Sequence, residues 1–259
     1  NEPAVVAMAP SYSTLDISTM NAEWNAVLEQ TGAVRTMDAV DSFGQPETEL
    51  DAVLTGDVGC DLSHQGLIVV QGLDAESFLQ GQLTCDLHQV TSDHSLLGAH
   101  CTPKGRAFAL FRLFRREEGV YLELPRALID PVLNRLRKYV LRTRVTLDDA
   151  SDTLARMGVA GPNAADLVGT VLGAVPQIVN GVVTADVTYP HGVTVIRLPG
   201  LLPRFELHGA TQELSTVWNA LTPNVTLVGA EPWRLLSILT GTPTVHPETV
   251  EAFVPQMLN

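Results

Sequence analysis

The chain has 259 residues, 45% of them apolar and 17% charged, with a formal net charge of −13; it is long enough for one large or two intimately joined domains and too hydrophobic for a disordered chain. No apolar run approaches the roughly 20 residues that cross a bilayer, and residues 1–20 lack the basic and apolar regions of a signal peptide, so an intracellular, cytoplasmic location with no membrane partner is expected. Cys60, Cys85 and Cys101 are widely spaced and suit neither a disulfide framework nor a closed zinc site, which predicts reduced, small buried residues and no bound metal.

In chain order, residues 1–20, with Pro3 and Pro10, predict little regular structure. Asn21 is placed to cap a helix running to Gly32, on which Trp24, Val27 and Leu28 form an apolar stripe. Gly44 and Pro46 make 41–49 a loop or linker. An apolar strand is predicted over 67–70, closed by Gly72. A short helix follows it, with Asp74 as N-cap, Phe78 and Leu79 inward and Gly81 near its stop. The turn at 102–105 separates strands over 96–101 and 107–114, and a further strand over 120–124 ends at Pro125. The clearest helix is 127–141: Leu128, Val132, Leu136, Tyr139 and Val140 share one face, and Arg135, Arg137 and Lys138 point away. A strand over 142–147 completes a set that predicts a ferredoxin-like α+β layer, helices covering one face of an antiparallel sheet.

A second cycle starts at Leu154, with a strand, a turn at 159–162 and a helix beginning at Pro162. Strands over 182–187, 193–198 and 204–208 precede a helix over 212–221, whose apolar side is Leu214, Val217 and Trp218. Pro232 opens a last helix to Thr240, with Gly241 as its stop. The shared element order of the two halves predicts a pseudo-duplicated layout.

Charge is unevenly placed. Between 104 and 144 lie 11 of the 16 Lys and Arg but 4 of the 29 Asp and Glu, a local excess of +7. A basic island on an acidic chain draws a small polyanion locally, because charges more than about 8 Å away are largely screened, while the net negative charge of the whole disfavours nucleic acid.

None of the general phosphate, metalloprotease, nucleophile-elbow or paired-cysteine motifs occurs. Longer segments are more specific. S-F-L-Q-G-Q-L-T-C-D-L at 77–87 and A-H-C-T-P-K-G-R-A-F-A-L-F-R-L-F-R at 99–115 resemble the YgfZ family of folate-binding proteins. D-L-S-H-Q-G at 61–66 is similar to the D-[VL]-S-H-x-G segment of their relative, the aminomethyltransferase (T-protein) of the glycine cleavage system. E-P-W-R-L-L-S-I-L-T-G-T-P at 231–243 and F-V-P-Q-M-L-N at 253–259 are similar to the family's later part, so the resemblance spans most of 60–259.

The resemblance implies an α+β fold, two interleaved GcvT-like (ferredoxin-like) α/β layers around a central folate cavity. It divides the chain into 1–64 with 152–228 and 65–151 with 229–259. In the family a K-G-C-[YF]-x-G-Q-E loop and a small β-barrel follow, and neither lies within these 259 residues. The implied function is tetrahydrofolate binding in support of iron–sulfur enzymes or their assembly factors, including enzymes that modify tRNA, with no direct nucleic-acid contact.

A folate site needs a flat apolar wall, polar groups for the pterin edge and positive charge for the glutamate tail. Trp233 matches the tryptophan that the family packs against folate, its alternative being a core residue. Gln65 stands where relatives carry a second tryptophan or a methionine, and its amide could bond the pterin edge. Glu206 matches the carboxylate of the T-protein's G-x-G-[FY]-E-[IL] strand or is an exposed strand residue. Lys104, Arg106, Arg112 and Arg142 are candidates for the glutamate tail or form a solvated basic face.

No catalytic residue is assigned. Where T-proteins carry N-G-G-x-x-D-D, this chain has Phe108 and Ala109, which cannot exchange a proton, and Ser237-Ile-Leu-Thr-Gly replaces the T-protein's R-L-E-A-G. Both departures point away from aminomethyl transfer. A folate-dependent one-carbon transferase is the alternative, and a folate-independent interaction module the third reading.

Overall fold

The computed structural model describes residues 17–36, 39–117, 119–185 and 192–258. In chain order the elements are α1 (Ile17–Gln30), β1 (Val34–Thr36), β2 (Ala39–Ser42), α2 (Pro46–Thr55), β3 (Val58–Asp61), β4 (Gln65–Gln71), α3 (Ala75–Gln82), β5 (Leu96–Cys101), β6 (Ala107–Arg116), β7 (Gly119–Pro125), α4 (Ile129–Arg137), β8 (Thr146–Asp149), β9 (Ala155–Ala160), α5 (Ala164–Leu172), β10 (Val182–Ala185), β11 (Val193–Arg197), β12 (Arg204–Gly209), α6 (Thr211–Leu221), β13 (Thr226–Val228) and α7 (Ala230–Leu239). Most of the stretch expected to lack regular structure, 1–16, lies outside the described residues, as do positions 186 and 187 of the strand expected over 182–187.

Two sheets carry the fold. One has five antiparallel strands in the order β5-β6-β7-β4-β8; the other has six, β10-β11-β12-β9-β3-β13, with only β13 and β3 parallel. Side chains alternate across a strand, so each sheet has two faces of independent chemistry. The outer face of the five-stranded sheet, with Ile68, Val70, Phe111, Leu113 and Leu122, is covered by Phe78 and Leu79 of α3 and Val132, Leu133 and Leu136 of α4. The outer face of the six-stranded sheet, with Met157, Val159, Val195, Phe205 and Leu207, is covered by α1, α5 and α6 through Trp24, Leu28, Val168, Val217 and Trp218. Leu67 and Phe114 of the first sheet meet Cys60, Ala160 and Ile196 of the second in a third core, which also takes in Val53 of α2 and Trp233 of α7. The layers are therefore helix, sheet, sheet, helix, with the two inner faces turned to each other.

Several expectations need correction. The loop expected over 41–49 instead holds β2 and the start of α2. Buried Glu49 explains the order there: its Oε1 accepts from Phe43 N at 2.7 Å and Gln45 N at 3.1 Å, and its Oε2 from Gly229 N at 3.0 Å. The approach at Gly229 requires glycine, because a Cβ would lie 1.9 Å from Asp41 O. Asp74 does precede α3 but its side chain caps nothing; it pairs with Arg144 at 3.0 Å, and Gly81 is the penultimate residue of the helix, near its stop as expected. The helix expected over 127–141 is α4, shorter at both ends, and Tyr139 stands exposed beyond it, edge-on to His100. Arg142 sits at φ 60°, so the following strand begins only at Thr146. Among the described residues no helix is long and apolar enough to cross a membrane.

Candidate functional site

Alternation places charge between the sheets. On β12, Phe205 and Leu207 enter the outer core, so Arg204, Glu206 and His208 face inward. On β9, Met157 and Val159 go outward and Arg156 and Gly158 inward, with His208 across from Arg156 and Glu206 across from Gly158. On the other sheet, Arg112 of β6 is the cross-strand partner of Glu123 of β7. All of these charged side chains are buried.

Arg112, Glu123, Arg204 and Glu206 border a cleft of about 360 Å³ whose lining also includes Gln65 and Trp233, a volume within the range of small-molecule sites. Leu62, Leu110 and Phe111 give it apolar wall, and Arg126, Glu231, Arg234 and His246 are among its further polar lining. Three of these are paired: Arg126 with Asp152 at 2.7 Å, and Arg234 with Glu231 at 2.8 Å.

Trp233 is 3% exposed. A Cβ on Gly158 would come within 2.4 Å of its six-membered ring, so only glycine there lets the indole lie against β9. The Arg204 guanidinium stands 4.4 Å from the ring centroid and donates to Ser237 Oγ at 3.0 Å, a cation–π contact strengthened by desolvation. Trp233 is thus both core residue and cleft wall, with Arg204 as a second planar layer.

Electrostatics set the state of each group. Burial lowers Arg204 to about 10, partly offset by Glu206. Burial raises Glu123 well above the usual carboxyl range, and the neighbouring Glu206 raises it further, while Arg156 and Arg112 oppose. Burial, then Arg156, Arg116 and Arg112, hold His208 well below its ordinary value, so its ring is neutral. Glu123, Glu206 and His208 bring donor atoms within 4.8 Å of one another. The surrounding guanidiniums oppose a dication there, and a proton is the charge the cluster accommodates. Glu123 Oε1, Glu206 Oε2, Arg204 Nε and both ring nitrogens of His208 lack hydrogen-bond partners within the protein. Buried polar atoms are rarely left so, and their concentration beside the cleft marks it as a place for polar ligand atoms.

Of the residues singled out from sequence, Trp233, Gln65, Glu206 and Arg112 come together at this cleft. Lys104, Arg106 and Arg142 do not. Lys104 and Arg106 are exposed beside the 102–105 turn, where Arg106 donates to Ala252 O at 2.9 Å, and Arg142 is exposed beyond α4. The basic island is also less free than its count implies. Arg115 pairs with Glu76, Arg126 with Asp152, Arg137 with Asp148 and Arg144 with Asp74. Sequence reasoning missed Glu123, Arg204 and His208; the signal available was the alternation R-F-E-L-H, which puts three polar side chains on one face.

The family model described as the GCVT N-terminal domain matches residues 17–235. The chain belongs to the GCVT N-terminal domain family. This GCVT-type chain is 33% identical over 201 residues to the tRNA-modifying protein YgfZ of Colwellia psychrerythraea, covering 77% of this chain and 59% of that protein. It is 33% identical over 198 residues to the protein of the same name from Klebsiella pneumoniae, covering 76% and 59%. The YgfZ resemblance read from the sequence therefore holds, although the chain spans about 59% of the length of these relatives. The crystal structure of glycine cleavage system aminomethyltransferase T from Bartonella henselae shares the GCVT-type fold, with a TM-score of 0.70 at 16% identity over 83% of this chain and 60% of that one.

Proposed function

We propose that this chain is a YgfZ-type protein that binds tetrahydrofolate in the cleft between its two sheets. Its role is to support iron–sulfur enzymes or their assembly factors, among them enzymes that modify tRNA. One observation carries the reading: a cleft of about 360 Å³ gathers a planar wall, Trp233 with Arg204, and a carboxylate, Glu206, beside polar atoms that have no partner within the protein. These are the groups a pterin requires, a flat surface and an acceptor for its N–H edge. Glu206 and Gln65 would hold the edge, Trp233 and Arg204 the ring, and Arg112, Arg126 and Arg234 the anionic tail. Bound folate would supply a carrier for one-carbon groups; the protein's part is to orient the ring and exclude water from it.

Binding is favoured over aminomethyl transfer. Ala109 lies in the outer core and Phe108 lies under the Arg135 guanidinium, so the positions at which T-proteins carry their acid offer none to the cleft. In the same reading 1–64 with 152–228 and 65–151 with 229–259 form two domains; the supply of every strand of the six-stranded sheet by 58–61 and 155–228 supports that division.

Titration with tetrahydrofolate, followed by tryptophan fluorescence, tests the site. Saturable quenching is expected in the wild type, with at least tenfold weaker binding in Trp233→Ala; no quenching in the wild type removes the folate reading. Recovery of tRNA-modifying iron–sulfur enzyme activity in deletion cells given the full-length gene, but not its Glu206→Ala form, tests the cellular role.

A further inference from the structure

Two like charges from opposite sheets meet in this cleft. Glu123 and Glu206 come from different sheets, both are buried, and their oxygens lie within 4.8 Å of each other. Two carboxylates sharing a buried site of low dielectric disfavour each other's ionisation, so that one of them is driven toward its protonated form. The groups facing Glu123 are Arg112 from β6, Arg156 from β9, and Arg204, Glu206 and the neutral His208 from β12. Arg112 Nε stands 3.9 Å from Glu206 Oε2, which fixes the negative charge on Glu206. Burial and then the neighbouring Glu206 raise Glu123, which leaves it as the protonated member.

We propose that Glu123 is the specificity-determining residue of the cleft: its proton ties it to Glu206, so that a single carboxylate edge meets an uncharged heterocycle presenting two N–H donors. The inference rests on the folate reading for the identity of that heterocycle, a 2-amino-4-oxo pteridine edge. A second ionised carboxylate would instead select an edge that carries its own positive charge, as a protonated 2,4-diaminopteridine does. Glu123 acts through Glu206 and is a positioning residue.

The test is a pH series with two variants. Wild-type affinity for tetrahydrofolate is expected to be flat at mildly acid pH and to fall, by up to about tenfold per pH unit, once the pair loses its proton. Glu123→Gln keeps a donor to Glu206, so its affinity at pH 6.5 should lie within about threefold of wild type and the alkaline fall should vanish. Glu206→Gln should lose at least tenfold throughout. A readout independent of folate is the infrared band of a protonated carboxyl in the ligand-free protein at pH 7, present in wild type and absent from Glu123→Gln. Absence of that band, an alkaline fall that survives in Glu123→Gln, or stoichiometric Zn²⁺ or Mn²⁺ in the purified protein would overturn the role of Glu123. The band without any folate binding would overturn the folate reading and the ligand named here, while leaving the proton pair standing.

Discussion

The outer faces of the two sheets and the face they share are built by the same strands, yet they differ in kind. Outside, Phe205, Leu207, Met157 and Val159 pack under helices as an apolar core. One residue along the same strands, Arg204, Glu206, His208 and Arg156 crowd into the space between the sheets, with several of their atoms lacking partners. Burial of apolar area stabilises the outer faces, at roughly 25 cal/mol per Å². The inner face incurs the desolvation of charge and is stabilised chiefly by what ties it together. Stability and ligand chemistry are therefore divided between faces of one strand, and substitutions can address either alone.

The largest effect should come from the outer side. Trp218 is fully buried and meets Trp24 edge-to-face at 5.6 Å, so Trp218→Ala should cost about 3–5 kcal/mol in denaturant unfolding. A loss under 1 kcal/mol would mean that the outer core is not the main source of stability. Gly158→Ala probes the boundary between the faces: its methyl would meet the Trp233 ring at 2.4 Å. A loss of about 1–3 kcal/mol is expected, together with an altered tryptophan emission spectrum; an unchanged spectrum would show that the indole does not lie against β9.

The smallest effect is one of pH. Glu123 titrates higher when folded than its ordinary value of 4.5, because of burial and then Glu206. At this one group the folded protein holds more protons than the unfolded chain above pH 4.5, so the contribution of Glu123 to stability declines as pH rises toward its folded value. Glu123→Gln should flatten that decline in urea midpoints measured from pH 4.5 upward. Equal slopes in both proteins would place the titration elsewhere.

Much of this division was legible in the sequence, because period-two alternation needs no knowledge of partners. The strands 96–101 and 204–208, the apolar stripe of α4 and Trp218 could all be read directly. What could not be read depends on residues far apart. Glu123 looks like an ordinary outward glutamate in L-E-L-P until a second sheet buries it against Glu206. The island of positive charge looked like a lip for an anion because Glu76, Asp74 and Asp152, which engage its arginines, lie outside the counted window. Helix α2 escaped notice because Gly44 and Pro46 are turn residues, and its start is held in place by Glu49 rather than by local propensity.

That glutamate also sets an order of events. Its two oxygens hold a bend at 43–45 and the amide of Gly229, which lies 180 residues downstream and immediately precedes the helix bearing Trp233. During synthesis the early segment must wait for a further 180 residues before its anchor is filled. A nascent chain released before residue 229 would lack both its latch and its indole.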